Sequence, residues 1–190
     1  MKVNEVPQLS NLVERVSEAV EFKDPHVVTL KVKDALEELI LSRSIILPSC
    51  FQQSEADRYA RRLLYEDEKT GFVIVAMTWG PGQKTALHDH SGVWCVEGVI
   101  QGQMRVDQFE KKETKNDKIR FVHRGHIMAE VGNSGALIPP FEHHILSNAL
   151  SKDVSMTIHV YGSNITRCAV YTLVKDDWFK EETCKLEYQV

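Results

Sequence analysis

Apolar positions recur with a helical period at the start of the chain and change to a strand-like alternation near residue 72. Leu9, Leu12, Val13, Val16, Ala19 and Val20 share one helix face, which predicts an amphipathic helix over residues 8–21 with Ser10 as its N-cap. Lys23-Asp24-Pro25 interrupts that pattern, and Val32, Ala35, Leu36, Leu39 and Ile40 define a second helix. Apolar stripes of this kind usually pack on a core, here the outside of a sheet. Pro48-Ser49-Cys50 punctuates the chain again. A short helix is expected to begin within residues 54–64, and residues 66–71 read as a turn.

From Phe72 onward, short apolar runs alternate with Gly, Pro and Asn turns. They predict strands over residues 72–79, 85–90, 93–100, 103–109, 119–123, 135–138, 144–148, 154–161 and 168–173. The run KKETKNDK, residues 111–118, reads as a solvated loop. Helices followed by many short strands predict a mainly β fold, a closed or sandwich-like barrel preceded by N-terminal α-helices. Residues 1–55 would form the helical segment and 56–190 the barrel of one domain. In VSMTIHVY, residues 154–161, Thr157, His159 and Tyr161 share one strand face and Met156, Ile158 and Val160 the other. The apolar face is expected to pack under the helices. The polar row then points into the barrel, where each group needs a partner.

A chain of 190 residues with 43% hydrophobic and 26% charged residues fits one soluble globular domain. A formal net charge of −4 gives no electrostatic footprint for nucleic acid or an anionic membrane. The first residues lack a signal-peptide apolar core, and no apolar run is long enough to span a bilayer. A cytoplasmic location is the resulting expectation, and a monomer without nucleic-acid or membrane partners is expected alongside it. Cys50, Cys95, Cys168 and Cys184 form no C-x-x-C pair, which argues against a zinc knuckle or a disulfide framework.

The candidate chemistry lies in residues 85–102, TALHDHSGVWCVEGVIQG. On a strand His88 and His90 point to the same side and can meet one ion, with Asp89 pointing away. Ser91-Gly92 supplies a turn, and an apolar run with Trp94, Cys95 and Glu97 near its start follows. Gly82 precedes His88, Gly102 follows the run, and His143-His144 comes after Pro139-Pro140. This two-motif pattern resembles the cupin superfamily and implies a jelly-roll barrel. The first cupin motif usually carries a glutamate ligand where Trp94 and Cys95 stand here, so that carboxylate is expected to be absent. The second motif places its histidine four residues before an asparagine, which selects His144 over His143. Three neutral imidazoles with open coordination positions suit one iron(II) per chain, while ligand type alone leaves zinc and nickel open.

The combination of TWGPGQKTALHDH, Cys95 after the second histidine, HHILSN and Thr157-Ile158-His159-Val160-Tyr161 resembles the thiol dioxygenase family of cupins, the cysteine dioxygenase group. The resemblance implies that a small thiol and dioxygen meet at the metal and leave as a sulfinic acid. It implies that Tyr161 orients the reactants, that His159 hydrogen-bonds its phenol, and that Thr157 fixes the His159 tautomer. Cys95 matches a cysteine that in some members forms a thioether with the tyrosine. Arg61 of Tyr59-Ala60-Arg61 matches the carboxylate-binding arginine, with Tyr59 assisting. Trp94, HVYGSNI and Arg167 are more similar to bacterial 3-mercaptopropionate dioxygenases, so cysteine is the first substrate expected and 3-mercaptopropionate the second. Oxidation of a protein N-terminal cysteine, and a non-catalytic metal-binding or ligand-sensing cupin, remain as alternatives.

Overall fold

The computed structural model describes residue 6 and residues 9–189. Residue 8, where the first helix is expected to begin, lies outside them. Helix α1, Leu9–Val20, buries Leu9, Leu12, Val16 and Ala19. Ser10 lies inside this helix and is not its cap. Helix α2, Pro25–Leu41, starts where Asp24 accepts a hydrogen bond from the His26 N–H and proline occupies the first turn. No helix forms over residues 54–64. A 3-10 turn at Ser49–Gln52 is followed by strand β1, Ala60–Glu66. Its helix-compatible sequence is overridden by antiparallel pairing with the fully buried β2, Val73–Trp79.

The remaining strands are β3 (Leu87–His88), β4 (Cys95–Gln101), β5 (Gln103–Lys115), β6 (Lys118–Glu130), β7 (Ser134–Leu137), β8 (His144–Asn148), β9 (Ser155–Tyr161), β10 (Arg167–Lys175) and β11 (Trp178–Lys185). One sheet has the order β1-β2-β9-β4-β7, and the other six strands close in the order β10-β11-β6-β5-β8-β3. Every pairing is antiparallel. Val75 and Val99 of the first sheet share an interior cluster with Met104 and Leu146 of the second. The architecture is thus a mainly β jelly-roll barrel of cupin type, preceded by two N-terminal helices.

The run 111–118 is not a loop. It is the far end of the β5–β6 hairpin, and only Asn116 and Asp117, both at positive φ, form the turn. Charged side chains on both faces of this projecting hairpin hide the alternation that marks a half-buried strand. Strand β11, also largely exposed, escapes sequence reading for the same reason.

The apolar face of β9 packs as expected. Met156, Ile158 and Val160 join Leu12, Leu36, Ile74 and Val96 in the cluster beneath the helices. Gly98 allows α2 to lie directly on β4, since a Cβ there would stand 2.9 Å from Leu36 Cδ2. The apolar face of β9 is thus packed beneath the helices, and its polar face is held toward the interior.

Candidate metal centre

His88 on β3 and His144 on β8 are directly paired across the ladder, and His90 follows the end of β3. The ligand-capable atoms of His88, His90 and His144 all lie within 4.8 Å of one another. His88 Nδ1 is 3.1 Å from the Ala86 carbonyl, and His144 Nδ1 is 2.6 Å from the Glu142 carbonyl. A carbonyl can only accept, so both Nδ1 atoms carry hydrogen and leave the Nε2 lone pairs free for a metal. Burial, reinforced by repulsion from His144, pushes His88 down to about 3, and burial pushes His144 down to about 4. Burial also holds His90 well below the usual histidine range. Three converging neutral imidazoles fit a single divalent metal ion. Asp89 points elsewhere, accepting from the Ser91 and Ala169 N–H groups and tying the turn to β10.

His143 does not join this cluster. It is buried on the other side of the strand, with its ring near those of Phe121 and Tyr171.

The polar row of β9 lies on the facing sheet and is satisfied along its length. Trp79 Nε1 donates to Thr157 Oγ1 at 2.9 Å, and the same hydroxyl is 2.7 Å from His159 Nε2. Indole can only donate, so the threonine hydroxyl keeps a proton that it can offer to His159 Nε2, and the other ring nitrogen is Nδ1. That atom is 3.5 Å from the Tyr161 hydroxyl. The β4–β9 register sets Cys95 opposite Tyr161 and Glu97 opposite His159. Burial raises both the Cys95 thiol and the Tyr161 phenol well above their usual ranges.

Glu97 changes the expected donor set. The cupin position beyond His90 does lack a carboxylate, but Glu97, two residues past Cys95 and so on the same face, brings one in. Its Oε2 is 3.3 Å from His159 Nδ1 and 3.8 Å from His144 Nε2. Burial alone pushes Glu97 up to about 8, while His159 is held well below its usual value. In the metal-free protein these are neutral neighbours and not ion pairs. A cation held by the histidines brings the positive charge that favours the ionised carboxylate. Cys95, Glu97 and His159 form a second group of ligand-capable atoms within 4.8 Å of one another. The available sequence signal was one acidic residue inside an apolar strand, at the parity of Cys95.

His88, His90, His144, Glu97, His159 and Tyr161 open on a cavity of about 380 Å³. Arg61 on β1 lines it, is 3% exposed, and has no hydrogen-bond partner for either terminal nitrogen among the described residues. Its guanidinium carbon lies 4.6 Å from the Tyr188 ring centroid and 5.7 Å from that of Tyr161. The Gln189 N–H donates to the Arg61 carbonyl, so residues after β11 clasp the strand that carries the arginine. Sequence reading did not find this clasp. Tyr59 also lines the cavity, stacked on Trp79 at 4.3 Å. Arg62 is held outside, donating to the Phe51 and Gln53 carbonyls. Arg167 does not reach the cavity. Alternation along β10 turns Cys168 inward and leaves Arg167 exposed.

No helix among the described residues is long and apolar enough to cross a membrane. Residues 47–173 match the family described as "Cysteine dioxygenase type I". The chain is similar to cysteine dioxygenase type 1 of Danio rerio, with 23% identity over 64% of this chain and 59% of that protein. It is also similar to cysteine dioxygenase type 1 of Homo sapiens, with 24% identity over 60% of this chain and 56% of that protein. The matches thus span less than two thirds of these curated relatives. Among solved structures, TT1209 from Thermus thermophilus aligns with a TM-score of 0.45 and 14% identity, covering 61% of this chain and 94% of that one. The family match extends over well more than half of the sequence and includes both histidine motifs, the β9 row and Arg61, and the chain accordingly belongs to the cysteine dioxygenase type I family.

Proposed function

We propose that the chain is a thiol dioxygenase that converts L-cysteine and dioxygen to cysteine sulfinic acid, with one iron(II) held by His88, His90 and His144. The observation that carries this reading is the opening of three neutral histidines and the unpaired Arg61 guanidinium onto one cavity. When bound, iron(II) supplies thiol acidification and the redox capacity to join both atoms of dioxygen to sulfur. The protein contributes position. Arg61 presents two free donors to a carboxylate in the fork geometry that suits a bidentate pair, and Tyr188 stacks against it to limit its rotation. Tyr59 borders the same subsite.

Tyr161 directs its phenol toward the reactants, His159 holds the phenol, and Thr157 with Trp79 holds His159. Met77 and Leu146 line the cavity and exclude water from the reacting sulfur. Cys95 stands opposite Tyr161. A thioether between its sulfur and the ring carbon beside the hydroxyl would form with loss of two hydrogens to dioxygen. Arg167, exposed at the start of β10, takes no part in carboxylate recognition. We place the enzyme in the cytoplasm as a monomer whose partners are a small thiol and dioxygen, with no nucleic acid or membrane. 3-Mercaptopropionate offers Arg61 the same carboxylate and is the alternative substrate.

Anaerobically iron(II)-loaded protein should consume oxygen with L-cysteine, and mass detection should find the sulfinate. Oxygen uptake only with 3-mercaptopropionate would replace the substrate. No uptake with cysteine, 3-mercaptopropionate or cysteamine, despite bound iron, would favour a protein N-terminal cysteine or a non-catalytic cupin.

A further inference from the structure

Six buried side-chain atoms lack a hydrogen-bond partner among the described residues: Arg61 NH1 and NH2, His90 Nδ1, Glu97 Oε2, Glu142 Oε2 and His143 Nδ1. Only those of Arg61, His90 and Glu97 belong to residues lining the large cavity. His90 is in the metal cluster, and Arg61 suits a carboxylate. Glu97 Oε2 has no such assignment. It is an acceptor on a residue 8% exposed, and leaving a buried carboxyl oxygen unpaired is unfavourable. Nothing in the packing of β4 requires it. Cys95 and Val99 at the neighbouring inward positions belong to the interior cluster without a carboxyl group.

We infer that Glu97 is a specificity-determining residue that accepts a hydrogen bond from the α-amino group of the substrate. This rests on the thiol dioxygenase reading and deepens it. Oε2 stands 3.8 Å from His144 Nε2, so an amine bound beside the metal ligands lies within its reach. Arg61 and Glu97 then receive the carboxylate and the amine, while the histidine centre receives the sulfur. Three unlike groups on one carbon meet three fixed partners, which selects an L-amino-carboxylate thiol over 3-mercaptopropionate, which has no amine, and over D-cysteine, whose groups are arranged in the opposite hand.

The test compares iron(II)-loaded wild type with Glu97→Gln and Glu97→Leu, using L-cysteine, D-cysteine and 3-mercaptopropionate. Turnover is measured alongside anaerobic calorimetric binding and iron content. Wild type should bind L-cysteine about tenfold to hundredfold more tightly than 3-mercaptopropionate or D-cysteine, as expected for one hydrogen bond to a charged group. In the variants the ratio of kcat/KM for cysteine to that for 3-mercaptopropionate should fall by a similar factor. Equal losses for both thiols would overturn the inference and make Glu97 a positioning residue for His159. Loss of iron from the variants would overturn it in favour of a metal ligand. If neither variant folds, the wild-type binding order decides, and equal affinity for the three thiols rejects the amine contact. Absence of turnover by wild type counts against the dioxygenase reading alone, because calorimetry still reports whether the amine is recognised.

Discussion

Two sets of buried polar side chains surround the site, and they differ in how their atoms are paired. Along β9, Trp79, Thr157, His159 and Tyr161 pass hydrogen bonds from one to the next, and His88 and His144 are anchored by backbone carbonyls. Arg61 and Glu97 are also buried, yet both terminal nitrogens of Arg61 and Oε2 of Glu97 find no hydrogen-bond partner among the described residues. Paired groups hold a geometry whether or not a ligand is present. Unpaired ones impose a cost on the empty protein that a ligand of complementary charge removes, so the pattern of satisfaction separates scaffold from recognition.

The strongest break in this contrast is removal of an anchored ligand. His144→Ala should lower metal affinity by more than about a hundredfold and abolish turnover, a loss larger than that expected for an outer-shell partner. His143→Ala should retain the metal but lose about 1–3 kcal/mol of stability, because its ring packs against Phe121 and Tyr171. Elemental analysis and thermal melts of the two variants distinguish these outcomes. Loss of metal from the His143 variant alone would reverse the ligand assignment.

A smaller pair of changes should move stability in opposite directions. Thr157→Val leaves Trp79 Nε1 and His159 Nε2 unpaired and should cost about 1–3 kcal/mol. Arg61→Leu removes two unpaired buried donors and should raise the melting temperature. The same substitution should raise KM for carboxylate-bearing thiols by about tenfold to hundredfold. An unchanged KM would remove Arg61 from substrate recognition.

The smallest effect concerns pH in the metal-free protein. Glu97 rises from the usual 4.5 to about 8 in the folded state. The folded chain therefore holds this proton through a window in which the unfolded chain has released it, and stability falls as pH rises from 4.5 toward 8. His88 and His144 are depressed from 6.5 to about 3 and about 4. Their contribution has the opposite slope and is lost as pH falls below 6.5. Melting temperature should thus peak near neutrality, and the Glu97→Gln variant should lack the decline on the alkaline side. An identical decline in the variant would assign the slope to other groups.

Sequence revealed the elements whose exposure alternates. The His88/His90 parity, the two faces of β9 and the apolar stripes of both helices follow from one buried side and a fixed period. It did not reveal β1, whose arginines read like a helix surface, or the ends of β5 and β6, where both faces meet water. At the site, Glu97 was seen in the strand, but its approach to His144 and His159 depends on cross-strand pairing that no local pattern contains. Arg167 shows the converse: likeness to a family position supplied a role, while strand parity turned the side chain away.

The register between β4 and β9 also limits how this protein can vary over time. Cys95 and Glu97 face the barrel interior because they share the parity that opposes Tyr161 and His159. Deletion of a single codon within β4 would bring neighbours such as Val96 and Gly98 to the inner face and discard thiol and carboxylate together. Lineages can therefore retune the cavity by substitution but not by changing the length of this strand. Length variation is instead accommodated at the Asn116-Asp117 hairpin tip, where the side chains lie in water and no site residue depends on the count.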